Sequence, residues 1–387
     1  MNFVYHVPTK MIFGAGSLKT LHNHELPGKK ALIAITADGS MIKYGYLDQV
    51  KNELDQKEIP YVVYDGITPN PNTKSVDEAA EICKKEKCDF VIGLGGGSSM
   101  DAAKAIALAA VNPEPLWTYS FTEKGGKKPL VCKKPLPTVQ ITTTAATGSE
   151  VDPWFVISNN ETNEKTAFGE DGTNHPTIAV IDPELMLSIP AVPTAYQGFD
   201  ILMHAVESYL NVSANKMSRM FALEGARLLC QYLPRCIENG KDLEARENVS
   251  LACAMAAFQM RCLNLHCMEH VLSAFHPRLA HGAGLILLSD AYFKNLIEMH
   301  ACDDEFVVLA KAMGKENANK PEDFLDALRE LKVKCGVDQL KMSDFEIKED
   351  ELELFSKSVF KMANDRPRDP VQLNDEIFLK IYKESYK

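Results

Sequence analysis

The feature that most constrains the fold is a change of texture near Pro190. Before it, short β-branched runs alternate with helical stretches; after it, the alternation stops. KALIAIT (30–36) ends at the turn Ala37-Asp38-Gly39, and a helical pattern follows to about Lys57. YVVYD (61–65) leads through TPNPNT into an amphipathic segment from Ser75 to Lys87, and DFVIGLG (89–95) runs into GGSSMDAAKAIALAA. PTVQIT (137–142) and TIAVID (177–182) read as later strands. Strands separated by helices need crossover connections and therefore pair in parallel, which predicts a doubly wound α/β domain. From Ala195 onward the patterns are long and helical, predicting an all-α domain. The stretch VIDPELMLSIPAVPT, with its three prolines, places the boundary, giving domains at 1–188 and 189–387. The chain shows no internal repeat and no low-complexity stretch.

Charge and cysteine usage narrow the function classes. The formal net charge of −11 argues against nucleic acid or an anionic membrane as partner. No apolar run approaches bilayer length. The opening MNFVYHVPTKMIFGAG lacks the basic-then-apolar order of a signal peptide. Ten cysteines occur without a CxxC, the nearest pairs being Cys83/Cys88, Cys230/Cys236 and Cys262/Cys267, which suits reduced thiols packed in the core of a cytoplasmic protein.

Two loops carry the marks of a binding site for a polar, phosphate-bearing ligand. GLGGGSSMD (93–101) joins a strand to a helix, and its glycines let backbone approach a phosphate at the helix N-terminus. Ser98 and Asp101 have capping-box spacing. TTTAATGSE (142–150) sets hydroxyls and backbone amides after PTVQIT. Loops at the carboxyl ends of neighbouring strands form the crevice in which open parallel sheets bind dinucleotides.

HCMEHVLSAFHPRLAH (266–281) holds four of the chain's ten histidines. On a helix His266 and His270 share a face, and Asp200 and His204 share one in GFDILMHAVESY. One carboxylate and several imidazoles suit zinc or ferrous iron. HCMEH also matches H-x-x-E-H, the inverted zinc-peptidase motif, with Glu269 as general base. That reading leaves both loops above without a purpose.

Taken together, these motifs resemble the iron-containing (group III) alcohol dehydrogenases of the dehydroquinate-synthase-like superfamily. The likeness runs nearly end to end through PTKMIFGAGSLKTL, PNPNT, GGGSSMDAAKAIAL, TTTAATGSEV, IDPELMLSIP, the GFDILMHAVESY helix and the segment ending His281-Gly282. PLWTYS, MEHVLSAF and IYKESY look closest to the butanol-dehydrogenase-like branch.

The resemblance implies a metal, Fe2+ with Zn2+ as the alternative, held at positions matching Asp200, His204, His266 and His281. It sets His270 beside substrate and nicotinamide, where an imidazole suits a proton relay. It also implies that Gly96, Gly97 and Ser98 hold the pyrophosphate, with Gly95 and Asp101 in the same cofactor motif. Thr143, Thr144 and Thr147 contact the cofactor, and Lys165 matches a lysine near its phosphates or ribose. Asp38 stands where NADPH-using relatives carry a glycine-rich turn, which favours NAD over NADP because a carboxylate would meet a 2′-phosphate with like charge. Two departures are visible: FHPRLAHG has one residue more than the family's usual stretch, leaving His276 as loop structure, and Ala146 replaces a usual glycine. The expected activity is hydride transfer between NAD and a small primary alcohol, aldehyde or diol, by a homodimer or larger homo-oligomer. A metal- and NAD-dependent lyase or cyclase of the dehydroquinate synthase kind is the alternative on the same fold.

Overall fold

The computed structural model describes residues 2–120, 133–169, 173–258, 260–363 and 368–386. The chain divides into two compact units, Val4–Leu187 and Ser188–Lys387, the latter grouping with Met1–Phe3.

In the first unit, strands β1 (Lys10–Phe13), β2 (Ala31–Thr36), β3 (Tyr61–Ile67), β4 (Phe90–Gly95), β5 (Thr138–Thr142) and β8 (Ile178–Ile181) form one sheet in the order β1-β8-β5-β4-β2-β3. Every pairing is parallel; Ile33 lies opposite both Val63 and Ile92, and Ile141 opposite Leu94 and Val180. β4 and β8 are apolar along their whole length because both faces are covered, whereas β5 (TVQIT) also buries Thr138, Gln140 and Thr142. Leu32, Ala34 and Val91 face a core built with α3 (Thr73–Glu86) and α4 (Gly97–Ala109). The alternate residues Ala31, Ile33, Ile35, Phe90, Ile92 and Leu94 face α2 (Tyr46–Asp55) and the turn at Ser17–Asn23. The doubly wound reading of the sequence therefore holds.

Three strands escape the sequence pattern. β1 has only four residues, on the sheet edge. β6 (Phe155–Asn159) and β7 (Glu164–Phe168) make a separate antiparallel hairpin whose Phe155 and Phe168 rings stack at 5.3 Å. Strand order reverses between β2 and β4, so the turns after these two strands flank the switch point where doubly wound sheets take ligands. After β2 comes the short helix α1 (Ser40–Lys43).

The second unit, among the described residues, is helical: α5 (Ala191–Leu210), α6 (Lys216–Glu238), α7 (Leu243–Ala257), α8 (Asn264–Phe275), α9 (His281–Glu298), α10 (Asp303–Ala312), α11 (Glu322–Lys334), α12 (Leu352–Ala363) and α13 (Asp375–Ser385). α5 and α9 are buried nearly throughout, which is why they read as apolar on every side. No helix among the described residues is long and apolar enough to cross a membrane.

Candidate functional site

The helical unit gathers Asp200 and His204 from α5, His266 from α8 and His281 from the first position of α9. One close backbone approach brings α9 to α5. A Cβ on Gly282 would lie 2.0 Å from the Tyr196 carbonyl oxygen, so only glycine lets α9 begin this close to α5. Tyr196 lies one helical turn before Asp200, and His281 thereby arrives at that carboxylate. Asp200 Oδ1 is 3.5 Å from His204 Nε2, 3.5 Å from His266 Nε2 and 3.4 Å from His281 Nε2. Asp200 Oδ1 and His266 Nε2 are buried and make no hydrogen bond. An orphaned buried carboxylate oxygen facing an orphaned imidazole nitrogen is costly unless a cation joins them. Four donors on one tetrahedral ion with bonds of about 2.0–2.1 Å sit about 3.3–3.4 Å apart, close to the spacing found here. The donor set fits a divalent ion.

A second layer of carboxylates sets the imidazoles. Glu207 Oε1 accepts from His266 Nδ1 at 2.5 Å, and its Oε2 accepts from the Leu263 amide at 2.6 Å. Glu269 Oε2 accepts from His281 Nδ1. A Cβ on Gly284 would come within 2.7 Å of Glu269 Cγ, so that glycine leaves room for the carboxylate. With Nδ1 donating to a carboxylate, each ring turns an Nε2 lone pair toward Asp200, the usual support of a metal-binding histidine. The electrostatics agree. Burial alone would raise the Asp200 carboxyl, but the His204 and His281 imidazoles hold it well below its ordinary range. Burial alone would lower the His281 imidazole, but the Glu269 and Asp200 carboxylates hold it above its usual value. These carboxylates call for positive charge at this spot.

Local spacing pairs His266 with His270, but it is His266 and His281 that meet on Asp200. The half-buried His270 ring stands perpendicular to that of His266 at 6.4 Å and 5.5 Å from that of His281. Glu269, the general base of the peptidase motif, instead holds a histidine by its Nδ1. His276 binds Glu351 at 3.2 Å and lies edge-on to Phe355, a packing role in keeping with loop structure. Glu207 went unread in the sequence, although Asp200, His204 and Glu207 follow an i, i+4, i+7 stripe in an otherwise apolar helix.

In the α/β unit the two loops interlock at the ends of β4 and β5. Gly95 has φ +142°, and Thr143 donates its amide to the Gly95 carbonyl at 2.9 Å. A Cβ on Gly97 would lie 2.5 Å from Thr147 Cγ2, and one on Gly96 would lie 3.2 Å from Thr144 Oγ1. Gly95, Gly96, Gly97, Thr143, Thr144 and Thr147 are thus brought together, with Ser98 in the first turn of α4. That helix begins at Gly96 without any side-chain cap, leaving its N-terminus suited to a phosphate. The capping box expected from Ser98 and Asp101 is not formed. Asp101 turns inward, accepting from Ser149 Oγ at 2.6 Å and from the Val156 amide at 2.8 Å. Its contacts hold the second loop to the hairpin. Lys165 lies on β7 and is buried, not solvated in a loop, and its charge acts on Asp101. Ala146 does not occupy the left-handed region; Gly148, with φ +68°, does. Asp38 is exposed, and its Oδ1 accepts from Thr36 Oγ1, Ser40 N and Ser40 Oγ at 2.8–3.1 Å. Those bonds order the turn after β2 and hold the Asp38 carboxyl below its ordinary value against the effect of burial. Oδ2 takes part in none of them.

Comparison with known proteins adds to this geometry. Residues 8–183 match the family model described as iron-containing alcohol dehydrogenase, and residues 194–386 match that of the C-terminal part of the Fe-containing alcohol dehydrogenase family. The chain is 31% identical to 1,3-propanediol dehydrogenase of Citrobacter freundii, covering 99% of each sequence. It is 30% identical to NADH-dependent butanol dehydrogenase A of Clostridium acetobutylicum over 100% of both. Among solved structures, an archaeal halo-thermophilic alcohol dehydrogenase from a Red Sea brine pool superposes with a TM-score of 0.92 at 29% identity, covering 100% of this chain and 99% of that one.

Proposed function

The chain belongs to the iron-containing alcohol dehydrogenase family, and we propose that Asp200, His204, His266 and His281 hold its divalent ion while the loops after β4 and β5 hold its nicotinamide dinucleotide. The reaction is that of a metal-dependent alcohol dehydrogenase working with NAD. The observation that carries the metal assignment is the buried, unpaired Asp200 Oδ1 within 3.5 Å of three imidazole nitrogens.

When bound, the ion supplies Lewis acidity to an alcohol or carbonyl oxygen, and NAD takes or gives the hydride. The protein's own part is positioning and proton handling. Glu207 and Glu269 fix the tautomers and directions of His266 and His281. His270, half-buried beside His281, is assigned the proton relay between the reacting oxygen and solvent. The uncapped start of α4 receives the pyrophosphate with Gly96, Gly97 and Ser98, while Gly95 shapes the turn. Thr143, Thr144, Thr147 and Lys165 line the cofactor path, and Asp101 positions them through Ser149. Asp38 Oδ2 accepts from the ribose hydroxyls of NAD, which makes NAD the preferred form over NADP. Substrates are small primary alcohols, aldehydes or diols, in keeping with relatives named for propanediol, methanol and butanol. The compartment is the cytoplasm, which suits the free thiols of the described residues, and the assembly is a homodimer or larger.

The peptidase reading gains no support, since Glu269 is spent on His281 Nδ1. The lyase or cyclase reading gains none from relatives named as dehydrogenases. The test is a panel of aldehydes and diols assayed by NADH and NADPH absorbance, on protein purified without oxygen and analysed for metal. Bulk NADH consumption that requires metal is expected; turnover in metal-free protein would refute the assignment.

A further inference from the structure

We propose that Cys262 supplies a sulfur donor to the metal centre on the side formed by His204 and His266, biasing the site toward zinc over ferrous iron. This rests on the reading that Asp200, His204, His266 and His281 hold the ion. Two clusters of donor atoms share His266. One is Asp200, His266 and His281; the other is His204, Cys262 and His266, each with atoms within 4.8 Å of one another. A tetrahedral ion bonded at about 2.3 Å to sulfur and about 2.1 Å to nitrogen sets the two about 3.6 Å apart. From a separation of at most 4.8 Å, the thiol therefore comes into reach after a shift of up to about 1.2 Å.

The second observation is His266 itself. Its Nε2 is unpartnered although the residue is only 5% exposed, so the histidine that the two clusters share carries a nitrogen that calls for a cation. Cys262 lies just before α8, outside the helix and only partly buried, unlike a packed core thiol. Its neighbour Cys267 is engaged elsewhere, its Sγ accepting from Arg368 Nη1 at 3.2 Å. A thiolate is softer than carboxylate or imidazole, and added to nitrogen and oxygen donors it favours zinc. On binding, the thiol proton leaves to solvent and the sulfur lone pair bonds the ion, with no redox change.

The test is X-ray absorption on the full chain stripped of metal and reloaded with one equivalent of zinc. A zinc–sulfur shell at about 2.3 Å, beyond the nitrogen and oxygen shell, is expected in the unmodified protein and in Cys267→Ala, and its loss in Cys262→Ser. Zinc affinity should fall about ten-fold or more in Cys262→Ser, with a smaller change for ferrous iron. Should Cys262→Ser fail to fold, the spectra of the unmodified protein and Cys267→Ala decide alone. A shell of nitrogen and oxygen only, with zinc lost in Asp200→Asn, overturns the sulfur donor and leaves the four-residue centre standing. Zinc retained unchanged in Asp200→Asn overturns the four-residue reading itself, and the proposal with it.

Discussion

Replacing Gly282 by alanine should remove the metal without unfolding the protein. The added Cβ would sit 2.0 Å from the Tyr196 carbonyl oxygen, 2.5 Å from its carbonyl carbon and 3.0 Å from its Cα. All three are backbone atoms of α5, so no side-chain rotation relieves the clash. Ordinary contact at about 3.4 Å requires α9 to retreat by roughly 1.4 Å at its start. His281 is the adjoining residue, and its Nε2 stands 3.4 Å from Asp200 Oδ1, one turn along the same helix. If the whole retreat is transmitted, that separation opens to roughly 4.8 Å, whereas metal sites tolerate only about 0.2 Å in each bond. The fold itself loses about 1–3 kcal/mol to overpacking, a drop of several degrees in Tm for a unit of this size. Metal content by elemental analysis and affinity by competition with a chelating dye are the readouts, with circular dichroism to show that the helices persist. Gly284→Ala is the contrast: its Cβ meets the Glu269 side chain, which can swing away, so metal should stay with affinity lowered about 10–100-fold. Unchanged metal affinity in Gly282→Ala would refute the argument that this glycine sets the position of His281.

Four further outcomes are expected. Asp200→Ala and His204→Ala should abolish turnover while calorimetry shows NAD binding largely intact, because the candidate metal and cofactor residues lie in separate units; parallel loss of NAD binding would contradict this. His270→Ala should keep stoichiometric metal and lower kcat, whereas His266→Ala should lose metal; equal metal loss in both would return His270 to the ligand set. Asp38→Gly should raise kcat/KM with NADPH relative to NADH, and a native preference for NADPH would leave Asp38 only its turn bonds. Burial, with the charge of Glu207 beside it, pushes the Asp369 carboxyl up to about 8 from 3.8. The folded state therefore binds a proton that the unfolded chain has released across that window. Stability falls as pH rises through it, by up to about 1.4 kcal/mol per pH unit, and urea titrations of Asp369→Asn should show a flatter profile.

What the sequence made legible was whatever repeats locally. The runs ALIAI, FVIGLG and IAVI are apolar at every position because they are buried on both faces, and β2, β4 and β8 appear where those runs stand. KMIF lies on the sheet edge with Lys10 and Met11 exposed and so makes no buried apolar run, and the β6–β7 hairpin alternates only over five-residue strands. Spacing misled where a long-range partner won. Asp101 has the spacing to close a capping box, but Ser149 and Val156 claim both its oxygens from far along the chain. Spacing likewise paired His266 with His270, whereas the approach of Gly282 to Tyr196 delivers His281 to Asp200 instead.

The least legible part is the pair of glutamates behind the histidines, and the reason is energetic. A glutamate with no exposure, as Glu207 and Glu269 both are, reads from sequence as an interruption of an apolar helix. Burying a carboxylate is expensive unless each oxygen finds a donor. At Glu207 both do: His266 Nδ1 donates to one oxygen and the Leu263 amide to the other. An amide side chain could not serve, since it accepts at one end only and would set its NH2 against a second donor. The requirement for a carboxylate at 207 thus comes from two donors that lie 56 and 59 residues further along the chain. No window of local sequence contains it. Once the tautomer of His266 is fixed by that bond, its Nε2 has nowhere to turn except toward Asp200, so the outer carboxylate decides where the inner nitrogen points.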